Sequence, residues 1–158
     1  MKKLSLLLIL VVILAACGPK IVQQSKKELK GNWMLDNITY SESGTFNVIM
    51  FNDTSKDCLE GTNWRFIPNN NTGVYTVNKE DCELGDRDFI FAIQEVNKET
   101  GFYDFLLKPT DAKHRSADGK GFRLQLTRLD GNKMQWQQTV SLDGKPFTIN
   151  MNFSKTEL

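Results

Sequence analysis

The sequence predicts an all-β protein whose antiparallel strands form an up-and-down barrel of eight or nine strands. Strand-length apolar runs are separated by turn residues about every ten positions, a spacing typical of all-β barrels and sandwiches. No segment combines a helix cap with a sustained period of 3.6 residues. A closed barrel is favoured over an open sheet because closure leaves no unpaired strand edge. The predicted strands are 29–40, 45–51, 62–67, 74–77, 88–96, 102–108, 122–129, 134–140 and 147–153.

The N-terminal segment has the features of a signal for export. Lys2 and Lys3 are followed by an apolar run over 6–16 that ends in small residues before Cys17. This run of about eleven residues is too short to span a membrane, which needs roughly 20. The pattern resembles a bacterial lipoprotein signal, which implies cleavage before Cys17 and acylation of that cysteine. Several acyl chains give stable anchoring, since each buried methylene contributes ~0.8 kcal/mol.

The chain therefore divides into three predicted parts. Residues 1–16 are the signal peptide, 17–28 are the lipidated cysteine with a flexible tether rich in Gln, Ser and Lys, and 29–158 are the barrel domain. Bacterial lipoproteins with Asp after the acylated cysteine are retained in the inner membrane, whereas Gly18 follows Cys17 here. The resemblance thus implies a protein of the outer membrane that faces the periplasm.

Charge excludes one class of partner. The chain has 20 basic and 19 acidic residues. Removal of Lys2 and Lys3 with the signal peptide leaves a net charge of 18 − 19 = −1. A nucleic-acid-binding protein normally carries a basic field or stripe. No nucleic-acid partner is expected.

The first predicted strand, 29–40, carries a bulge. Its apolar residues change parity between Leu35 and Ile38, which indicates one extra residue near Asp36. The next strand, 45–51, is apolar on both faces, which places it inside the sheet, or with one face on the core and the other on another element.

Two cysteines remain after Cys17. Cys58 lies in the polar loop 52–61, and Cys82 follows the strand pair 62–67 and 74–77. In an exported protein two such thiols most simply form a disulfide. Metal or catalytic roles would need further partners, and the single histidine is distant in sequence. A Cys58–Cys82 bridge would contribute ~3.5 kcal/mol in the chain-entropy model.

The later strands alternate apolar and polar residues. The clearest cases are 122–129 and 147–153. Asp130-Gly131-Asn132 and Asp143-Gly144 are typical of hairpin turns, and a further turn is predicted at 97–101. The alternation is also compatible with a membrane-spanning barrel. The short strands and the lipid anchor favour a soluble barrel instead.

Several of these features together resemble a known family. Gly31-Asn32-Trp33 in the first strand is followed by Cys58, the aromatic strand 64–66, the turn 69–73 and Cys82. This arrangement resembles lipocalins and the bacterial lipocalin-like lipoproteins, over roughly 29–153. The resemblance implies a lipocalin-like barrel. An eight-stranded barrel is just wide enough to be filled by side chains or to hold one small ligand.

No catalytic residue, metal or cofactor is expected. His114 lies in the loop 109–121 beside Arg115 and Asp111, where Ser116 would have to be its paired nucleophile, and a solvated loop histidine is the simpler interpretation. An acidic run could suggest calcium. However, it lacks the EF-hand spacing and is offset by Lys79 and Arg87. The run comprises Glu80, Asp81, Glu83, Asp86 and Asp88.

The aromatic residues suggest the function. Such side chains line pockets for apolar ligands, although they also fill ordinary cores. The candidate cavity-lining residues are Trp33, Trp64, Phe66, Phe91, Phe122, Trp136 and Phe147. The leading hypothesis is a membrane-anchored, non-enzymatic barrel that binds a small hydrophobic ligand. The alternative is a packed barrel that binds an unknown protein partner through the loops 52–61, 79–88 and 109–121.

Overall fold

Eight antiparallel strands form a closed barrel in the computed structural model, which describes residues 17–96, 103–116 and 118–157. The predicted signal peptide 1–16 and the predicted turn 97–101 lie outside the described residues. The helices are α1 (Cys17–Leu29) and α2 (Lys56–Leu59). The strands are β1 (Gly31–Tyr40), β2 (Ile49–Met50), β3 (Thr54–Ser55), β4 (Asn63–Ile67), β5 (Thr72–Val77), β6 (Gly85–Val96), β7 (Tyr103–Thr110), β8 (Phe122–Leu129), β9 (Lys133–Leu142) and β10 (Lys145–Thr156).

The barrel runs β1-β10-β9-β8-β7-β6-β5-β4 and closes where β4 pairs with β1. Within the barrel, consecutive strands from β4 to β10 pair with each other. Strand β1 pairs with both β10 and β4. The predicted antiparallel up-and-down barrel is confirmed, with eight strands. The predicted bulge is confirmed too, because the pairing of β1 with β10 shifts register between Leu35 and Asn37.

The prediction of a barrel strand over 45–51 is wrong. Only Ile49 and Met50 are in a strand, β2, and this pairs with β3 outside the barrel. The apolar residues of this segment cover one end of the barrel instead. For example, the Phe46 ring packs 4.8 Å from Phe147 and 5.3 Å from Tyr40. Apolar composition indicated burial correctly but did not indicate sheet pairing.

Residues 17–29, which include the predicted tether 17–28, form the helix α1. Val22, Ser25 and Leu29 face the barrel at helical spacing, and Leu29 is fully buried. The last turn is held by two contacts. The Trp33 indole nitrogen donates to the Leu29 carbonyl at 2.8 Å, and Lys155 Nζ donates to the Glu28 carbonyl at 2.8 Å.

Helix α1 covers one end of the barrel. It contacts β6 and β8, and Lys26 Nζ donates to Asn71 Oδ1 in the β4–β5 turn at 2.8 Å. We call this the closed end. The other end, which we call the open end, is formed by the segment 41–62 and the loops 78–84, 111–121 and 143–144. Because β1 starts at the closed end, α1, which contacts that end, and the open-end loops lie at opposite ends of the barrel.

Aromatic side chains fill the middle of the barrel. The Trp64 ring lies 4.3 Å from Tyr75, 5.4 Å from Trp136 and 5.7 Å from Phe153, as measured between ring centroids. All four side chains are 4 % exposed or less. Burial of this aromatic area is a dominant source of stability, since each ring removes 150–250 Å² from water.

Candidate ligand-binding site

The predicted cavity-lining residues separate into groups. Six of the seven are at most 4 % exposed, and Phe122 is partly buried. Trp64, Phe66 and Trp136 lie 5.4 to 6.3 Å from one another, and Phe91 lies 5.7 Å from Phe66. At these separations the four rings touch directly. The four side chains therefore fill the space between them.

The other three predicted residues lie elsewhere. Trp33 packs beneath α1, with Lys155 Nζ 5.1 Å from its ring centroid. Phe147 packs against Tyr40 at 5.2 Å. Phe122 borders a cleft at the open end. The structure therefore places the accessible part of the candidate site at the open end of the barrel.

A residue that the sequence did not indicate covers this end. Phe51 is 4 % exposed, and its ring lies 5.4 Å from Phe122, 6.0 Å from Trp64 and 6.5 Å from Tyr75. We call residues 50–53 the Phe51 turn. No sequence signal identifies Phe51, because the apolar pattern predicts it as the last residue of the strand 45–51.

The Phe51 turn has an unusual backbone. Phe51 and Asn52 both have φ of 55°, and the Asp53 amide donates to the Met50 carbonyl at 2.9 Å. Positive φ suits Asn and Gly and is rare for a bulky side chain. A residue held in this region stores strain of about 1–3 kcal/mol. The surrounding contacts must therefore hold Phe51 in place.

Asp53 supplies those contacts. Its carboxylate accepts hydrogen bonds from the Tyr75 hydroxyl at 2.7 Å and from Arg87 Nε at 3.0 Å. Burial raises the pKa of Tyr75 above its usual value of 10, and the bond to Asp53 raises it further. The separate hydrogen bond from Arg87 to Asp53 raises the pKa of Arg87. Both groups therefore remain hydrogen-bond donors to Asp53 at neutral pH.

The predicted disulfide is confirmed, and it holds the same region. Cys58 in α2 is bonded to Cys82 in the loop 78–84, with 5.8 Å between their Cα atoms. The Ser55 hydroxyl caps α2 by accepting from the Cys58 amide at 3.4 Å, and Lys79 Nζ donates to the Asp57 carbonyl. The segment that carries Phe51 is thus fixed to the barrel on its C-terminal side.

Two clefts flank the Phe51 turn. One, of about 670 Å³, lies between Phe51 and Phe122 and the loop 109–120. The other, of about 440 Å³, is lined by Tyr75, Arg87 and Leu107 among others. The clefts share five lining residues, which are Phe51, Asn52, Pro109, Thr110 and Asp111. Both volumes are in the range of small-molecule sites, about 300–1,000 Å³.

Polar groups at these clefts could orient a ligand. The Thr110 hydroxyl is buried where the clefts meet, and no group in the described ranges bonds to it. At the rim, Asp111 and Arg115 form an ion pair at 2.7 Å. The hydrogen bond from the Arg115 amide lowers the pKa of Asp111 most, and the bond from the Arg115 guanidinium lowers it further. The arrangement offers an apolar surface with one unpaired hydroxyl and an ionic rim.

The residues considered for catalysis and calcium binding have other surroundings. His114 is exposed and has φ of 58°, and Ser116 Oγ accepts from the Gly119 amide at 3.1 Å. In the acidic run, Asp86 accepts from the Thr76 hydroxyl at 2.7 Å, and Glu83 lies 3.8 Å from Arg87. Within the parts of the chain that are described, no three His, Cys, Asp or Glu side chains converge as a metal site.

The strand pairing defines the class of protein, an antiparallel eight-stranded barrel with one end covered by a helix. Among solved structures, the chain is similar to a lipocalin-like protein from Bacteroides uniformis ATCC 8492. The TM-score is 0.49 and the identity 10 %, over 82 % of this chain and 99 % of that one. No protein-family model and no curated protein matches the sequence. None of the helices within the described ranges is long and apolar enough to cross a membrane.

Proposed function

We propose that this chain is a membrane-anchored, non-enzymatic protein of the bacterial envelope that binds a small hydrophobic ligand at the open end of its barrel. One observation carries the proposal. The buried Phe51 ring lies between two clefts that share five lining residues, and it rests on Phe122, Trp64 and Tyr75. A ligand that replaced the Phe51 ring would join the two clefts over an aromatic floor.

The free energy of this exchange is favourable for an apolar ligand. Removing a Phe side chain from its buried position costs about 1.5–3 kcal/mol. Release of the positive-φ backbone of Phe51 offsets about 1–3 kcal/mol of that cost. An apolar ligand of similar size regains the burial, and the Thr110 hydroxyl offers it one hydrogen bond. Displacement of the Phe51 turn is thus within reach of ordinary binding energies.

The experiment uses residues 17–158 with Cys17→Ser, exported behind a foreign signal peptide so that Cys58 and Cys82 oxidise. Native mass spectrometry of the purified protein would detect a co-purified ligand, and titration with 1-anilinonaphthalene-8-sulfonate would report an apolar site. We expect Phe122→Asp to abolish binding, because it places a charge on the cleft floor. Ile67→Asp is the control, since Ile67 is 39 % exposed and lies at the closed end. Equal binding by both variants would refute the site.

The anchor is proposed from the sequence pattern before Cys17. Helix α1, which starts at Cys17, covers the end opposite the clefts. This supports the proposal, since an anchor on that side leaves the open end unobstructed. In a bacterial host, the full-length chain is expected to incorporate a labelled palmitate analogue and to fractionate with membranes. Cys17→Ala should lose both properties. Unchanged labelling of this variant would contradict acylation at Cys17.

The filled aromatic interior favours a second candidate. Trp64 and Trp136 are fully buried and in ring contact, as expected of a barrel that needs no ligand. Such a barrel would act through its open-end loops on a protein partner. A clean apo mass and no dye binding by the unmodified protein would favour this candidate.

A further inference from the structure

Rows of uncharged polar side chains lie on the outer face of β9 and β10 and reach Thr127 on β8 and Asn37 on β1. We call this surface the polar wall. The first row is a continuous hydrogen-bonded chain across four strands. Thr127 Oγ1 donates to Gln135 Oε1 at 2.7 Å, and Gln135 Nε2 donates to Asn152 Oδ1 at 2.8 Å. Asn152 Nδ2 then donates to Asn37 Oδ1 at 2.9 Å.

The next two rows continue toward the open end. In the second, Gln137 Nε2 donates to Asn150 Oδ1 at 2.8 Å. In the third, the hydroxyls of Thr139 and Thr148 are 3.2 Å apart, and the Thr148 amide donates to Ser41 Oγ at 3.0 Å. Bonds between two side chains are a minority in folded proteins, roughly 10–15 % of the total. Their concentration here sets this surface apart.

The charged residues nearest the polar wall are engaged outside it. Asp36, the bulge residue of β1, accepts from Ser154 Oγ at 2.6 Å and from Lys133 Nζ at 3.4 Å. Arg128, beside the bulge of β8, donates to Asp130 at 2.9 Å in the following turn. The three rows therefore present no net charge, although 25 % of the chain is charged.

This arrangement leaves hydrogen-bonding capacity directed outward. Each amide has two N–H donors and two carbonyl lone pairs, and the cross-strand bonds use only part of this capacity. Because those bonds already hold the side chains in place, a ligand need not bear the full cost of ordering them, about 0.5–1.5 kcal/mol each. The rows repeat about every 7 Å along the strands, and neighbouring strands lie about 4.8 Å apart.

We propose that the polar wall is a docking surface for a neutral polysaccharide. A chain of uncharged sugars matches the surface in charge and offers hydroxyl donors and acceptors at short intervals. The rows lack the cations that a nucleic acid requires. They also lack the Arg and aromatic anchors typical of protein interfaces. This function is separate from ligand binding at the open end.

The test is retention of the soluble form, residues 17–158 with Cys17→Ser, on insoluble neutral polysaccharides such as cellulose, xylan and chitin, with pectin as the anionic comparison. The unmodified protein is expected to bind at least one neutral polymer in preference to pectin. Asn152→Asp removes the donor to Asn37 and introduces a charge, and should weaken retention at least about 5-fold. Asn63→Asp, the same change on the exposed face of β4, should retain binding.

Other outcomes overturn the proposal. Binding to none of the neutral polymers would overturn it. Equal retention of Asn152→Asp and the unmodified protein would also overturn it. Light scattering provides a further check, because a dimer that Asn152→Asp dissociates would assign the polar wall to a second copy of the chain. Dye binding at the open end should be equal in Asn152→Asp and Asn63→Asp. Loss of polysaccharide binding can therefore be distinguished from loss of the open-end ligand site. Matching thermal unfolding of both variants would exclude a general folding defect.

Discussion

Gly73 in β5 shows how a single residue is required by space rather than by backbone conformation. A Cβ atom at this position would lie 2.3 Å from Phe89 Cζ and 2.9 Å from the Arg65 carbonyl oxygen. The Phe89 ring is fully buried and the carbonyl belongs to the paired strand β4. Neither can move freely. The residue is therefore part of the core packing, although it has no side chain.

We expect Gly73→Ala to lower the free energy of unfolding by about 1–3 kcal/mol, because the added methyl group overpacks the core. Urea denaturation at neutral pH would measure the change. The control is Gly131→Ala, since a Cβ at Gly131 has no neighbour within 4 Å. The control should stay within about 0.5 kcal/mol of the unmodified protein. Equal effects of the two substitutions would contradict the packing argument.

Asp130, in the β8–β9 turn, links stability to pH. It accepts from the Asn132 amide at 2.9 Å and from the Lys133 amide at 2.7 Å, and Arg128 donates to it as well. Together these bonds lower the pKa of Asp130 from 3.8 to about 2. The Asn132 amide has the largest effect, followed by the Lys133 amide and then Arg128. A lowered pKa in the folded state means that the charged form favours folding. The contribution is complete above the unfolded pKa of 3.8 and is lost as the pH falls through about 2.

The carboxyl carbon of Asp130 is expected to titrate near pH 2 by NMR. Asp130→Asn should destabilise the protein at pH 6, where the native carboxylate is charged. The difference should shrink as the pH approaches 2. A destabilisation of the same size at both pH values would show that the charge is not responsible.

At the scale of elements, periodicity predicted the regular strands well. Phe122–Leu129 matches the predicted bounds because apolar and polar residues alternate there from Phe122 to Thr127. The segment 45–51 was mispredicted because its apolar residues serve loop packing, which composition does not distinguish from a buried strand. Helix α1 was missed because it buries only about one residue per turn. Its stability comes from tertiary contacts that a sequence does not display.

Since α1 belongs to the fold, truncating its buried face is expected to be costly. Leu29→Ala should lower the free energy of unfolding by about 2–5 kcal/mol, the usual range for a buried leucine. Leu84→Ala is the matched control, because Leu84 is 60 % exposed. Chemical denaturation of both variants makes the comparison. A neutral Leu29→Ala would return residues 17–29 to the role of a tether.

The disulfide joins two elements that do not pair as strands. Replacing Cys58 and Cys82 by Ser is expected to lower stability by ~3.5 kcal/mol in the chain-entropy model. Denaturation in the presence of a reductant tests the cause, since the unmodified protein should then match the variant. A difference that persisted in reductant would point to lost packing of the thiol side chains instead.

At the scale of the whole molecule, the barrel was predictable and the ligand site only in part. Alternation and short turns specify a closed antiparallel sheet, and the spacing of Cys58 and Cys82 agrees with it. The aromatic residues were recognised as a group, yet most fill the interior. The residue that separates the clefts, Phe51, depends on a positive-φ turn and on Asp53 contacts with Tyr75 and Arg87. Such long-range contacts cannot be inferred from local sequence patterns.

The pairing of β1 with β10 also constrains how the chain reaches its native state. Partners such as Asp36 and Ser154 are separated by 118 residues, so the closing contacts require nearly the whole polypeptide. Contacts this distant in sequence are typical of slow folding. Until β10 is synthesised, β1 and β9 are exposed sheet edges that other chains can pair with. The nascent protein is therefore most prone to aggregation just before its last strand is complete, and a chaperone that holds it until then would serve this fold well.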